Sequence, residues 1–430
     1  MSDLLVRGGN RLSGELTPAG NKNSALPILC ATLLTDETVI IRNFPDLTDV
    51  NQLIDLMQSM GSQIEWDKDN CVLTINNSQL RNEFGDEGFP LGMRGAILLL
   101  GPLTSRMKNI EVKQEIGGCS LGIRELDPHL EVLKGLGADI DNNDYLKINL
   151  KDGLEGGFLW QDYMSVTTTE NFVMAAVKAK GKSTMVNAAS EPHVQDLCMF
   201  LTSMGAKIEG IGSSRIDIEG VEKLSGTDFT ISSDHHEIAT LLALGAMTGG
   251  EIKVHKSIPE HFPLINKSFA KFNVNIEYEG DTAIVRANNE LKIVEPYTKN
   301  LLQKLEAAPW PYFPTDLMPL MIALAVKSDG SMMFWNKLYE GGFFWIPEMI
   351  KFGAHLVMCD PHRVIVYGNK PLKPAQVDAP NIIRATVALL MVALTIEGES
   401  TIRNADSIKR AHPNFIENLN KLGADLEWIN

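Results

Sequence analysis

The 430-residue chain is short of cysteine, of clustered positive charge and of long apolar runs, and each shortage closes off a class of function. Cys30, Cys71, Cys119, Cys198 and Cys359 form an odd set without CxxC or HxxxH spacing. That argues against a disulfide framework and a zinc site, so no metal and no cofactor is expected. The formal net charge is −15 and no run of lysine or arginine interrupts it, which excludes non-specific attraction to nucleic acid or to an anionic membrane surface. Small anions stay within reach, because a few arginines and helix N-termini bind phosphate whatever the global charge. No stretch approaches the roughly 18 apolar residues that span a bilayer, and MSDLLVRGGNRLSG has no apolar leader, so no membrane insertion and a cytoplasmic location are expected.

What the chain does have is a six-fold repeat. MGSQIEW (60–66), LGADIDN (136–142), MGAKIEG (204–210), FNVNIEY (272–278), FGAHLVM (352–358) and LGADLEW (422–428) are variants of one phrase. Each reads as a left-handed helix cap followed by a strand, with Asn273 standing where the others have glycine; asparagine is the next most tolerant residue of that conformation. Upstream of each lies a β-rich run, at 38–44, 109–115, 183–189, 251–257, 332–338 and 400–406, then an amphipathic helical segment. Between these units lie apolar, alanine-rich segments at 24–34, 93–103, 169–179, 236–247, 316–326 and 384–395, so poor in polar residues that they are expected to be buried helices. The pattern predicts an α/β chain of six βαβ-type units, three to a globule, helices inside and sheets outside. A ring or a solenoid satisfies the periodicity alone. The strand at 4–9 must pair somewhere; if it joins the last repeats, the chain crosses between globules near 21 and 230, and both crossings become hinge candidates.

One cysteine stands apart. Cys119 lies in GGCSLGIRELDPH, between Gly117 and Gly118 on one side and Gly122, Arg124 and His129 on the other. Flexible glycines expose a sulfur and an arginine favours its thiolate, so a functional thiol is the preferred reading over a buried structural cysteine.

GNKNSALPILCATLL (20–34), GGCSLGIRELDPHL (117–130), NAASEPHVQDLCMFLTSMGAKIEG (187–210), FPTDLMPLM (313–321) and FGAHL (352–356), together with the six-repeat layout, make the chain resemble the enolpyruvyl transferases over essentially its whole length. The resemblance implies a two-domain inside-out α/β barrel with pseudo-threefold symmetry in each domain. One domain would comprise 22–229 and the other 1–21 with 230–430, with the active site in the cleft between them. It further implies transfer of the enolpyruvyl group of phosphoenolpyruvate to the 3-hydroxyl of UDP-N-acetylglucosamine, a step of peptidoglycan precursor synthesis that fosfomycin blocks. On the same basis Cys119 is the general acid that also attacks phosphoenolpyruvate, Asp316 the base at the acceptor hydroxyl, and Lys22, Arg124 and Arg384 the cations that bind phosphoenolpyruvate. Asn23 and Arg94 would contact the acceptor, and Glu125, Leu126, Asp127, Pro128, His129, Tyr163, Ser165, Val166 and Leu338 would line its site. Read alone, Asp316 fits a helix N-cap equally well.

The chain departs from the family pattern mainly where the nucleotide is expected. Thr48 and Tyr163 replace lysines, Gly341 and Gly342 replace Asn-Arg, His235 and His236 replace the Arg-Ile after Asp234, and SIKRAHP (407–413) is atypical. Losing charged bonds to a diphosphate removes binding energy. Two alternatives therefore stand beside the main reading: a paralogue using a different nucleotide or nucleotide-sugar acceptor, and a catalytically silent nucleotide-sugar binder.

Overall fold

The computed structural model describes residues 2–81, 94–112, 125–141, 143, 145–287, 290–410 and 412–429. They divide into a central unit, residues 20–232, and a terminal unit that joins residues 2–19 to 233–429. Each unit has its own apolar core.

The six glycine phrases decide the local structure. Gly61, Gly137, Gly205, Gly353 and Gly423 all have φ between +89° and +106°, and Asn273 has φ +60°. In five of the six the residue after the phrase's second position bonds back to the preceding helix, as Ala206 N–H does to the Leu201 carbonyl at 3.0 Å and Val274 N–H to that of Phe269 at 3.3 Å. The last turn is thereby closed and the chain released into a strand. The helices so ended are amphipathic; Thr48–Ser59 buries Val50, Leu53, Ile54 and Met57, one stripe at helical spacing.

Five of the six phrase strands fold back in a β-hairpin, the sixth, Asp425–Ile429, pairing instead with the N-terminal strand, and among the described residues three sheets form in each unit. In the terminal unit the orders are Glu277–Glu279, Thr282–Val285, Ile252–Val254, Gly14–Leu16; then Gln303–Ala307, Ser331–Asn336, Arg363–Tyr367, His355–Asp360; then Gln376–Asp378, Gly398–Arg403, Asp3–Gly8, Asp425–Ile429. One edge strand in each is parallel and the rest antiparallel. The expected strand near the N-terminus lies inside the last sheet, Leu4 facing Ile402 on one side and Trp428 on the other. It stands where every other four-stranded sheet has its own hairpin strand. In the central unit Asp228–Thr230 pairs in parallel with Val39–Arg42, so the last strand of that unit joins the first repeat.

The sheets are apolar on one face only; Ser331–Asn336 alternates half-buried and buried positions, with Met332 and Phe334 inward. The helices they cover have no polar face. Ile383–Leu394 buries every residue from Ala385 to Leu394, and His235–Thr248 every residue from His235 to Met247. Helices of this kind belong inside and one-faced sheets outside, which gives the inside-out α/β arrangement.

Some boundaries differ from expectation. The segment expected as one helix at 93–103 is a 3₁₀ stretch, Arg94–Leu99, followed by a short α-helix, Leu100–Thr104, because Pro102 has no N–H to continue an α ladder back into the preceding turn. The helix expected from 316 begins at Met318, after a 3₁₀ turn over Thr315–Leu317. The β-rich runs form shorter strands than read, Ile252–Val254 for 251–257.

A Cβ at Gly205 would meet nothing within 4 Å, so Gly205→Ala isolates the backbone cost of φ +102°. Its unfolding free energy is expected to fall by about 1–2 kcal/mol in urea titration. An unchanged midpoint would show that the phrase does not need its left-handed residue.

Candidate active site

In the central unit, Lys22 opens the helix Lys22–Ala31, capped by the Asn21 side chain, which accepts from Asn23 N–H at 2.9 Å. The Lys22 ammonium is nearly buried and lies 2.5 Å from an Asp49 carboxylate oxygen. Asp49 sits in the first turn of Thr48–Ser59, directly after Thr48. This pair fixes the direction of the lysine at a helix N-terminus, where backbone N–H groups also favour anions. Asp49 was not read from the sequence as part of the site; a buried lysine at a helix start was the available signal that a carboxylate had to be near.

Ser165 caps the buried helix Val166–Ala176, its Oγ accepting from Thr168 N–H, and Tyr163 stands half exposed just before it, its carbonyl accepting from Ser165 N–H. Asp127, Pro128 and His129 form the first turn of Asp127–Gly135, with Glu125 and Asp127 exposed and Leu126 and Pro128 half-buried. His129 turns inward. Its Nδ1 accepts from the Asn171 amide at 2.8 Å, since the Asn171 oxygen is taken by Gly101 N–H, and its Nε2 is 3.3 Å from Thr167 Oγ1. That assigns the proton to Nε2, and burial lowers the imidazole pKa to about 4. His129 is a neutral, internally bonded ring, while its neighbours Glu125 and Asp127 face outward. Cys119 and Arg124, and the side chain of Arg94, lie outside the described residues.

In the terminal unit the N-termini of three buried helices meet at one pole. Asp234 caps His235–Thr248, accepting from His236 N–H at 2.8 Å; Asp316 lies in the turn leading into Met318–Lys327; Arg384 lies in the first turn of Ile383–Leu394. Asp234 joins them. Its Oδ1 is 3.0 Å from His236 Nδ1, and its Oδ2 is 3.5 Å from His412 Nδ1 and 3.9 Å from an Arg384 nitrogen. Arg384 also donates to His412 Nε2 at 3.0 Å, which leaves the His412 proton on Nδ1, toward Asp234. Burial alone would raise the Asp234 pKa, yet the hydrogen bonds from His236 and His412 hold it well below the usual carboxylate range. Glu237 behaves oppositely: burial pushes its carboxyl up, only partly offset by His412, by Ala19 N–H and by Arg384.

Asp316 is the more open carboxylate, its side chain 40% exposed, and its Oδ2 lies 4.0 Å from His236 Nε2. Asp316 and Arg384 line a pocket with Asn336, Tyr339, Gly342 and Trp345 among its walls. Leu338 is half-buried beside it, its N–H donating to Asn336 Oδ1 at 3.0 Å. A Cβ at Gly342 would stand 2.1 Å from the Asn336 amide nitrogen, so any larger residue there would have to displace that side chain. Asp234, His235 and His236 offer ligand atoms within 4.8 Å of one another. The bonds to Asp234 just described make this a charged hydrogen-bond network, with that carboxylate committed to His236, His412 and Arg384.

The sequence family described as EPSP synthase (3-phosphoshikimate 1-carboxyvinyltransferase) matches residues 6–419. The chain belongs to this family. Among its relatives, a UDP-N-acetylglucosamine 1-carboxyvinyltransferase of Borreliella burgdorferi is 40% identical over 432 residues, covering 100% of this chain and 99% of the relative. One of Bacteroides thetaiotaomicron is 38% identical, with all of both chains covered. Among solved structures, the enolpyruvyl transferase NikO from Streptomyces tendae superposes with a TM-score of 0.84 at 20% identity, covering 100% of this chain and 99% of that one. An EPSP synthase from Acinetobacter baumannii superposes at 0.76 and 16% identity over the full length of both. At these identities the structures support the shared two-domain α/β fold of the carboxyvinyltransferases.

The neutral His129 has a measurable consequence. Its unfolded-state imidazole binds a proton near pH 6.5, its folded one only near 4, so between those values the unfolded chain holds more protons and stability falls as pH falls. The loss attributable to this ring is up to about 1.4 kcal/mol per pH unit. In urea titrations from pH 7 to 4, His129→Gln should show a shallower decline than the parent; parallel slopes would contradict the assignment.

Proposed function

We propose that the protein transfers the enolpyruvyl group of phosphoenolpyruvate to the 3-hydroxyl of UDP-N-acetylglucosamine and releases phosphate, in peptidoglycan precursor synthesis and in the cytoplasm. The observation that carries the reading is about 40% identity, along the entire chain, to relatives bearing that activity in their names. No helix among the described residues is long and apolar enough to cross a membrane.

The residues present fit the chemistry. Addition places the sugar oxygen on the substituted carbon of the double bond and a proton on its methylene, which becomes a methyl; elimination then removes a methyl proton and expels phosphate, restoring the double bond. An acid and a base are needed on the two sides of the double bond. In this reading Cys119 supplies the acid, and Asp316, the open carboxylate of the terminal pole, takes the proton of the attacking hydroxyl. Lys22, Arg124 and Arg384 bind the phosphate and carboxylate of phosphoenolpyruvate. Both Lys22 and Arg384 are held at helix N-termini by carboxylates that fix their direction, which is the preorganisation an anion site requires. Asn23, Arg94, Glu125, Leu126, Asp127, Pro128, His129, Tyr163, Ser165, Val166 and Leu338 are assigned to the acceptor side, with His129 acting through its helix rather than by its bonded ring.

Phosphate release from phosphoenolpyruvate, measured with UDP-N-acetylglucosamine and with a panel of other nucleotides and nucleotide sugars, tests the proposal. Release is expected with UDP-N-acetylglucosamine, and Asp316→Asn is expected to lower kcat by about a hundredfold or more at little cost in KM. Release only with another acceptor would overturn the assigned substrate. An Asp316→Asn protein as active as the parent would remove Asp316 as the base.

A further inference from the structure

Asp234 fixes the tautomer of His236. A buried carboxylate that already accepts the His236 backbone N–H on Oδ1 has its second contact from the same residue, the ring Nδ1 at 3.0 Å. A carboxylate held ionised is only an acceptor, so the ring proton lies on Nδ1. The His235 ring lies against that of His236, centroids 3.9 Å apart and planes tilted by 35°. Nε2 is then the nitrogen left open, and 4.0 Å from it is Asp316 Oδ2. His236 is 3% exposed at its side chain, whereas Asp316 is 40% exposed, so one end of this line is fixed inside the fold and the other meets the pocket.

We propose that His236 is a positioning residue and second proton station for the reaction, receiving on Nε2 the proton that Asp316 takes from the acceptor hydroxyl. The inference rests on the proposed transfer reaction. The hydroxyl O–H bond breaks and an O–H bond forms on Asp316; that bond then breaks as Nε2–H forms, leaving an imidazolium between two carboxylates. The proton departs with the released phosphate or to water. The present separation exceeds a hydrogen bond by about 1 Å, within reach of a side-chain rotation of the exposed Asp316. The relay restores Asp316 to its carboxylate form before the intermediate collapses, and the Asp234 anion stabilises the imidazolium.

The ionisable groups around the ring are Asp234 and His235 beside it in the chain, Asp316 from the neighbouring turn, and, across Asp234, Arg384 and His412, the last of which is 3.9 Å from Glu237. A ring already protonated on Nε2 cannot take Asp316's proton, so turnover is expected to fall on the acid side.

The experiment is kcat and KM for phosphoenolpyruvate from pH 5 to 9 in the parent and in His236→Gln. The relay predicts an acid limb of kcat in the parent that is absent from the variant, a kcat about a hundredfold lower at pH 7.5, and KM within about twofold. A variant that keeps the acid limb overturns it, whatever the size of its loss, because a merely structural role would not carry the limb. Should His236→Gln not fold, nitrogen NMR of the imidazoles in the unmutated protein and in Asp316→Asn decides instead. An Nδ1-protonated ring whose Nε2 titration moves in Asp316→Asn supports the relay, and an unmoved titration overturns it. A parent protein without phosphate release would fail the functional reading itself, while an active parent with an unchanged variant profile fails only the relay.

Discussion

A single buried carboxylate, Asp234, holds the working pole of the terminal unit together. It caps one helix, orients His236, and faces the cation of Arg384 and the proton of His412. An ion in that position is costly unless its lone pairs are used, and here its bonding and ion-pair partners, His236, His412 and Arg384, are all donors. Because His236 reaches toward Asp316 and Arg384 lines the same pocket, the two groups proposed for opposite tasks, proton removal and anion binding, share one anchor. Disturbing either is felt by the other.

The anchor works because the repeat brings helix N-termini together. Three helices with no polar face are forced inside three one-faced sheets, and their starts converge where Asp234, Asp316 and Arg384 stand. Nothing apolar can occupy the ends of such helices without leaving backbone N–H groups unmet, so the poles are where polar chemistry is tolerated in an otherwise apolar interior. The central unit uses the same rule at Asn21, Lys22 and Ser165.

Much of this was legible in the sequence, for reasons that can be named. The left-handed phrase admits only glycine or asparagine whatever surrounds it, so the six repeats announced themselves, Asn273 included. Helices apolar all round and strands apolar every second residue left one way to layer them. The contacts among Asp234, His236, Asp316, Arg384 and His412 were not legible, because they join positions far apart in the chain through the packing of three helices. His412 lies in a segment that looked merely atypical, and its role follows from Arg384 lying 3.0 Å away. His129 sits in the most suggestive motif of the chain yet is claimed by Asn171, a partner that no local pattern reveals. The start of the Asp316 helix was misplaced by two residues because a 3₁₀ turn and an α-helix share the same apolar spacing.

The most direct test of Asp234 as the common anchor is Asp234→Asn, with the unfolding free energy and the rate of phosphate release measured on the same preparation. Asparagine caps helices as well as aspartate, so the helix keeps its start and only the charge is lost. The account predicts a folded protein less stable by roughly 3 kcal/mol or more, as for a buried pair broken on one side, with turnover about a hundredfold lower. Parental stability and turnover in Asp234→Asn would contradict it.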